Sequence, residues 1–126
     1  MKKLGRLSET ELEVMEVIWE LAAPVTVAQL LDIFAGKGWK TSTVSTILKR
    51  LIEKGFLTKS IAGKANVYDP ALTLEEYKKY ETKTFLNRLY NGNVKNFIAA
   101  LVDDEELSQK DIAELKEWFA RKEGEK

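Results

Sequence analysis

Apolar residues recur at helical spacing in three segments of the first half of the chain. Within each segment they fall near i, i+3, i+4 and i+7, which places them on one face of an α-helix. The three stripes are Leu12, Met15, Ile18, Trp19 and Ala22; Val27, Leu30, Leu31 and Phe34; and Val44, Ile47, Leu48 and Leu51. Pro24 ends the first segment, Gly36 and Gly38 stop the second, and Gly55 is a left-handed cap for the third. The pattern therefore predicts three consecutive amphipathic helices.

Four helix starts are marked by a Ser or Thr that is followed three residues later by an acidic or amide side chain. The pairs are Ser8 with Glu11, Thr26 with Gln29, Thr73 with Glu76, and Ser108 with Asp111. In such a capping box each side chain accepts a hydrogen bond from the backbone N–H of the other residue. The pairs predict where four helices begin.

After the third helix the apolar period changes to two. The segments FLTKSI and NVYD flank the sequence AGKA, with Gly63 at the turn and Pro70 closing the second strand. This pattern predicts a β-hairpin. In the order helix, helix, helix, hairpin, the second and third helices form a helix-turn-helix and the hairpin is a wing. We therefore assign residues 1–72 to a winged-helix domain.

Beyond Pro70 the chain has helical patterns only. Helices are predicted over Leu74–Tyr90, Val94–Val102 and Ile112–Arg121, separated by NGN and DDEE. Their apolar surface is larger than three short helices can bury among themselves, and a second copy of the chain is the simplest cover. Residues 73–126 are therefore interpreted as a helical dimerisation domain, so the fold class is mainly α with a small β-hairpin wing. The predicted dimer interface is Phe85, Leu86, Leu89, Val94, Phe97, Ile98, Leu101, Leu115, Trp118 and Phe119.

The third helix has an outer face rich in hydroxyl groups. The residues off its apolar stripe are Ser42, Thr43, Ser45, Thr46, Lys49 and Arg50. Ser and Thr are mediocre helix formers, so a run of them needs a reason beyond propensity. Small side chains let a helix approach a groove closely, and the cations at its far end suit a polyanion. The face predicts contact with DNA, and a tolerated polar surface is the alternative interpretation.

Composition narrows the chemistry further. The chain has 126 residues with no cysteine and no histidine, so disulfides, the usual zinc sites and His-based acid–base catalysis are excluded. It has no glycine-rich phosphate loop and no nucleophile elbow. We therefore expect a protein that is not an enzyme and uses no metal or cofactor. Neither a signal peptide nor a membrane span is recognisable, which predicts a cytoplasmic protein.

Charge is unevenly distributed along a chain whose net charge is zero. Residues 36–72 contain seven basic and two acidic residues, a net charge of +5, whereas residues 1–35 and 73–126 have net charges of −3 and −2. A basic segment inside a neutral chain is the pattern expected when one face meets phosphate. The charge distribution therefore agrees with a DNA-binding role for the third helix and the hairpin.

Four segments of the chain are informative together. They are LSETELEVMEVIW, GWKTSTVSTILKRLIEKGFL, the GK and VYDP parts of the hairpin, and EELSQKDIAELKEWF. In combination they resemble the penicillinase and methicillin-resistance repressors, the BlaI/MecI family, over nearly the whole chain. The resemblance implies a winged-helix DNA-binding domain, a helical dimerisation domain, and a homodimer that represses a promoter at a palindromic operator of double-stranded DNA.

In that family the helix that matches residues 41–54 reads the major groove. The resemblance therefore assigns DNA contacts to Trp39, Lys40, Ser42, Thr43, Thr46 and Arg50. The outer face of the helix and the hairpin add Thr41, Ser45, Lys49, Lys59, Gly63 and Lys64. For Trp39 two roles stay open, which are core packing where the third helix begins and positioning of a phosphate through the indole N–H.

The resemblance also bears on how repression ends. Family members that are released by proteolysis are cut at an Asn-Phe bond before EELS, where this chain has Ala100-Leu101, with Asn96-Phe97 one turn earlier. A sensor-linked protease is the partner in such a scheme. Thiolate copper sensing, as in relatives with paired cysteines, is excluded because this chain has none. The alternative function is a winged helix that binds protein, which would need acids or large apolar groups on the recognition face.

Overall fold

The computed structural model describes residues 4–124 of the chain. Its elements, in chain order, are α1 (Glu9–Glu20), α2 (Val27–Ile33), a short 3₁₀ helix (Ala35–Lys37), α3 (Thr41–Glu53), β1 (Leu57–Ala62), β2 (Ala65–Pro70), α4 (Leu74–Tyr90), α5 (Val94–Asp103) and α6 (Gln109–Gly124). The chain divides into two compact units between Lys78 and Lys79, inside α4. Each unit is described by itself below.

The four predicted capping boxes are all confirmed. At α1 and α2 the N-cap hydroxyl accepts the backbone N–H of the third helical residue, whose side chain accepts the N-cap N–H. The boxes that begin at Thr73 and Ser108 form the same reciprocal bonds, at 2.8 to 3.1 Å. Asn93 adds a cap at the start of α5 by accepting the N–H of Asn96. Local hydrogen bonds therefore determine where these helices begin.

Buried apolar side chains from α1, α2, α3 and the hairpin form one hydrophobic core in the first unit. They are Val14, Met15, Ile18, Val25, Leu30, Phe34, Val44, Ile47, Leu48, Leu51, Phe56, Leu57 and Tyr68. The stripe predicted for α3 is confirmed, since all its members belong to this set. Trp19 is partly buried against the core, as predicted. The stripe predicted for α1 is wrong at Ala22, which is exposed because α1 already ends at Glu20.

The predicted hairpin is confirmed as the antiparallel pair β1 and β2. Ala62 pairs with Ala65 across a two-residue loop. Gly63, the first loop residue, has φ 64°, a left-handed conformation that glycine adopts without the steric cost of a Cβ. Gly55, with φ 92°, is the predicted left-handed residue after α3. The two glycines therefore sit where the chain turns into the hairpin and where the hairpin reverses.

The base of the hairpin is held in the core and its tip is exposed. Val25, between α1 and α2, and Tyr68, in β2, exchange two backbone hydrogen bonds of 2.9 Å. This isolated bridge adds a third strand-like segment that the sequence pattern does not predict. Residues 58–66 are all exposed, so the hairpin projects from the first unit as a ribbon.

The second unit consists of the rest of α4 together with α5 and α6. α5 ends at Asp103 rather than Val102, and α6 covers Gln109–Gly124 rather than Ile112–Arg121. The additional residues of α6 are mostly polar, so they lie outside the apolar stripe that predicts this helix. Among the described residues of this unit none is fully buried. Across residues 4–124 the structure has no helix that is both long and apolar enough to cross a membrane.

The beginning of α4 packs in the first unit through an aromatic cluster. Tyr77 stacks on Trp19 with ring centroids 5.3 Å apart and meets Phe56 edge-on at 5.5 Å. The indole N–H of Trp19 donates to the carbonyl of Leu72 at 2.9 Å. Aromatic pairs of this kind contribute about 0.5–1.5 kcal/mol beyond the area they bury. The first turn of α4 therefore contributes to the stability of the first unit.

We expect Tyr77→Ala to lower the free energy of unfolding of the first unit by about 1–3 kcal/mol, because it removes two aromatic contacts and leaves a cavity beside Trp19. Denaturant unfolding followed by tryptophan fluorescence measures the change. Lys83→Ala, an exposed side chain on the same helix, is the matched control and should change the free energy by less than about 0.5 kcal/mol. Equal unfolding midpoints for Tyr77→Ala and wild type would show that the aromatic cluster does not stabilise this unit.

Candidate nucleic-acid interface

α3 divides lengthwise into a buried face and an exposed face. Its apolar stripe is buried because residues three and four apart share one side of a helix. The exposed residues of α3 include Thr41, Ser42, Thr43, Ser45, Thr46, Lys49 and Arg50. The structure thus brings the site residues predicted on this helix together on one accessible surface.

One hydroxyl on this surface is already engaged within the helix. Thr46 donates its Oγ1 hydrogen to the backbone carbonyl of Ser42 at 2.9 Å, a common bond for Thr inside helices. A hydroxyl has one donor hydrogen and two acceptor lone pairs. Thr46 therefore keeps its acceptor capacity and its methyl group for an external partner, while its donor hydrogen is used by the backbone.

Trp39 lies just before α3 and is half-buried. Its ring packs against Phe34 with centroids 4.9 Å apart, and the Lys37 ammonium lies 5.5 Å from the ring centroid. An ammonium at this distance from an aromatic ring is attracted by the ring quadrupole. These contacts favour the packing role of Trp39 over phosphate positioning. Lys40, the N-cap residue of α3, is exposed and makes no side-chain cap bond.

The ribbon carries the predicted wing residues on its exposed part. Lys59, Gly63 and Lys64 all lie there. Side chains alternate between the two faces of a strand, so Leu57, Lys59 and Ile61 share one face. Leu57 is buried, whereas Ile61 is 72% exposed. The face that enters the core at Leu57 therefore continues past the core as a free surface.

Ile61 is a candidate interface residue that the sequence prediction omits. It pairs with Asn66 near the tip of the ribbon. The alternating pattern of the strand could have identified Ile61. It lies on the face of the strand that enters the core, but it is next to the turn and therefore too far from the core to be buried.

A salt bridge connects α3 with α1. Glu11 is only 4% exposed, and its carboxylate pairs with the ammonium of Lys54, the C-cap residue of α3. The same ammonium donates to the carbonyl of Arg6 at 2.7 Å. The N–H of Gly5 donates to the carbonyl of Lys54 at 2.9 Å. One residue at the end of α3 therefore joins α3, α1 and the segment before α1.

The pKa of Glu11 reflects two opposing effects. Burial disfavours the charged carboxylate and by itself raises the pKa. Hydrogen bonds from the Lys54 side chain and the Ser8 backbone, together with the positive charge of Lys54, outweigh burial and hold the pKa below its ordinary value of 4.5. Glu11 is therefore ionised at neutral pH and the salt bridge is complete.

The described part of the chain contains no cluster of side chains that could bind a metal ion. Within residues 4–124 no three acidic side chains are grouped so that they could hold a metal ion, and the sequence has no His or Cys to add as ligands. The candidate site is the exposed surface of α3 and the ribbon, because the hydroxyl and basic side chains predicted to contact DNA lie there.

A helix-turn-helix followed by a β-ribbon defines the winged-helix class of proteins. Similar solved structures include the solution structure of the DNA binding domain of the repressor BlaI, and that of the Bacillus licheniformis BlaI monomeric form in complex with the blaP half-operator. Each is 35% identical to this chain, covers 61% of it and is itself covered to 94%, with TM-scores of 0.52 and 0.50. The predicted fold class is thereby confirmed.

The penicillinase repressor family matches residues 7–121. Among similar proteins, the penicillinase repressor of Bacillus licheniformis is 35% identical over 115 residues, 91% of this chain and 90% of that protein. The methicillin resistance regulatory protein MecI of Staphylococcus aureus strain N315 is 29% identical over 120 residues, 95% and 98% of the two chains. The chain belongs to the penicillinase repressor family. This is a family of DNA-binding transcriptional repressors and not of enzymes, which confirms the resemblance seen in the sequence.

We expect the contribution of Glu11 to stability to depend on pH. Because its pKa is lowered in the folded protein, the ionised carboxylate stabilises the fold above about pH 4.5, and this stabilisation is lost as the pH falls through the lower folded-state value. The difference in free energy of unfolding between wild type and Glu11→Gln should thus be constant at about pH 6–8 and shrink on acidification. Denaturant unfolding at a series of pH values measures this difference.

The control for the pH experiment is Glu13→Gln, which removes a carboxylate of the same helix from an exposed salt bridge with Lys37. Exposed pairs contribute about 0–1 kcal/mol, so its unfolding should follow that of wild type closely. A difference between wild type and Glu11→Gln that does not change with pH would contradict the role assigned to the ionised carboxylate.

Proposed function

We propose that the chain is a sequence-specific transcriptional repressor that binds a palindromic DNA operator as a homodimer. The observation that carries this proposal is the division of α3 into a core face and an exposed face of small hydroxyl side chains followed by Lys49 and Arg50. The major groove of B-DNA admits an α-helix, and small side chains let the helix lie deep. The complex of a related repressor with a half-operator supports the proposal.

Each part of the surface has a proposed chemical role. Ser42 and Thr43 can donate to and accept from base edges, and Thr methyl groups suit contact with the thymine methyl. Thr46 acts as an acceptor or through its methyl group, because its hydrogen is used by Ser42. Arg50 can bond bidentately to guanine or pair with phosphate, and Lys49 suits phosphate.

The ribbon is proposed to contact the DNA backbone beside the helix. Lys59 and Lys64 lie on its exposed part and can neutralise phosphates, which contributes affinity without sequence information. Gly63 lets the backbone at the tip approach closely. We propose that Ile61, which is exposed on the same face as Lys59, contacts the sugars of the backbone.

We propose that the predicted DNA-binding domain of residues 1–72 also includes the first turn of α4, up to the division after Lys78, and that the rest of the predicted segment 73–126 is the dimerisation domain. The second unit supports this, since its described residues include no fully buried side chain, while Leu89 and Trp118 are 59% and 45% exposed. Three short helices with so much exposed apolar surface are unfavourable in water unless another surface covers them. A second copy of the chain would cover them symmetrically and would provide a second DNA-binding domain for the other half-site of a palindrome.

Cleavage by a sensor-linked protease is the proposed way to end repression, and the cytoplasm is the proposed site of action. The bonds Asn96–Phe97 and Ala100–Leu101 both lie inside α5. A cut at either bond would break α5 and separate α6 from the DNA-binding domain. Since a single half-site contact is weak, loss of the dimer would release the operator.

We expect Arg50→Ala to weaken binding to a DNA duplex that the wild-type protein enriches from a random library. A phosphate contact predicts that the salt dependence becomes shallower by about 0.9 on every sequence, whereas a base contact predicts a loss of about 1–3 kcal/mol that depends on one base pair. Titrations at several salt concentrations separate the two. Arg88→Ala, an exposed arginine on α4, is the control. Wild-type affinity of Arg50→Ala on all DNA would contradict the proposed interface.

We expect Trp118→Lys to convert the homodimer to monomers, because a charge at a buried position of the interface must be desolvated. Operator affinity should fall by roughly 10²–10⁴-fold, since the second domain no longer benefits from a high effective concentration. Sedimentation equilibrium and DNA titration measure the two effects. Ala113→Lys introduces the same charge at an exposed position on the side of α6 away from Leu115, Trp118 and Phe119, and it should leave both unchanged. A dimeric Trp118→Lys protein would place the interface elsewhere.

A further inference from the structure

The end of α3 is held by directional bonds in addition to apolar packing. Lys54 bonds to Glu11 of α1 and to the carbonyl of Arg6, and accepts the N–H of Gly5. The contact with Gly5 is close, since a Cβ on Gly5 would lie 2.8 Å from Cγ of Lys54. The core fixes how deeply α3 is buried, but hydrophobic contact is non-directional. These bonds therefore restrict the orientation of α3 in a way that its apolar stripe alone does not.

The carboxylate at the other end of this salt bridge is itself fixed. The same Glu11 Oε1 that pairs with Lys54 accepts the N–H of Ser8 at 2.8 Å as part of the capping box of α1. If the Glu11 carboxylate followed Lys54 during a rotation or slide of α3, it would therefore give up its bond with the Ser8 N–H, which is one of the two bonds of the capping box. A displacement of α3 would break bonds at a buried carboxylate, which is costly.

The salt bridge lies close to the candidate DNA contacts. Lys54 follows Arg50 by one helical turn, so both lie on the same side of the helix. One cleft is lined by Ser8, Glu11, Arg50, Glu53 and Lys54. A change in how the last turn of α3 is held therefore moves Arg50 as well.

We propose that the Glu11–Lys54 salt bridge is a positioning device for DNA recognition, which holds the C-terminal half of α3 in the orientation that lets Arg50 reach the operator. This inference rests on the proposed function. Neither residue is assigned a contact with DNA. A buried salt bridge contributes little stability compared with apolar packing of the same volume, whereas a fixed orientation of the reading helix is what base contacts require.

Whether Glu11→Gln strengthens or weakens DNA binding distinguishes a positioning role from a purely electrostatic one. Removing a carboxylate near DNA reduces repulsion and by itself strengthens binding. Positioning predicts the opposite, because Glu11→Gln breaks the salt bridge and lets α3 move. For full-length Glu11→Gln we expect roughly tenfold weaker binding to the duplex enriched by wild type, which is the size of losing one modest base contact. Binding to a random-sequence duplex should change by less than about twofold, because phosphate contacts do not require exact placement.

Two further variants complete the experiment. Glu13→Gln removes the same charge from the same helix but at an exposed salt bridge, and it should bind both duplexes like wild type. Lys54→Met keeps an unbranched apolar stem while removing the ammonium, and it should reproduce the loss seen with Glu11→Gln. All titrations are made at a temperature where circular dichroism shows each variant to be folded, so the comparison is independent of stability.

The outcomes are distinguishable. Wild-type affinity of Glu11→Gln for the enriched duplex overturns the inference, and so does equal weakening by Glu11→Gln and Glu13→Gln. If Lys54→Met weakens binding to both duplexes alike and makes the salt dependence shallower by about 0.9, Lys54 is a phosphate contact and the inference is wrong. Wild-type binding by Arg50→Ala on all DNA contradicts the proposed interface and overturns the positioning role with it, whereas no binding of the wild-type protein to any enriched duplex would contradict the proposed function.

Discussion

The burial of one side of α3 is the interaction on which the first unit depends. Leu48 and Leu51 are completely buried, and α1, α2 and the base of the hairpin pack around them. Because a helix has a repeat of 3.6 residues, burying this stripe leaves the remaining positions of α3 outside the core. These outer positions carry no packing constraint, so their side chains can be small, polar or basic without loss of the fold. In this way one helix both completes the core and presents an exposed surface of hydroxyl and basic side chains.

The two units differ in the sequence separation of the residues that pack together. In the first unit the core is closed by partners distant in sequence, such as Trp19 and Leu72, which are 53 residues apart. The second unit is held together by neighbours along the chain, such as the edge contacts of Phe97 with Phe85 and Tyr90. Local aromatic contacts shield these rings only in part, so none of the described residues there is fully buried. The first unit therefore buries most of its own apolar surface, whereas the second leaves large apolar side chains such as Leu89 and Trp118 exposed.

The sequence predicts well those features that depend on interactions between residues close together in the chain. Capping boxes join residues three apart, and stripes follow from one helical repeat, so the helix starts and the two faces of α3 can be read directly. Ala22 fails because the stripe continues in the sequence after backbone hydrogen bonding has ended at Glu20. The salt bridge of Glu11 with Lys54 joins residues 43 apart. Whether two residues so far apart in sequence form a salt bridge depends on tertiary packing. The local sequence at the start of an acidic helix does not indicate whether a given carboxylate is buried or exposed to solvent.

The basic residues of the first unit fall into two groups, those that form a salt bridge and those that do not. Of the seven basic residues in 36–72, Lys37 pairs with Glu13 and Lys54 with Glu11, both on α1. Within residues 4–124 the structure shows no salt bridge for the other five, which are Lys40, Lys49, Arg50, Lys59 and Lys64. These are the basic residues predicted to contact DNA. Acidic side chains on α1 therefore pair with Lys37 and Lys54, and they leave Lys40, Lys49, Arg50 and the two lysines of the ribbon without a salt bridge. An unpaired, hydrated cation can exchange water and counterions for phosphate without first breaking an internal bond, which favours association.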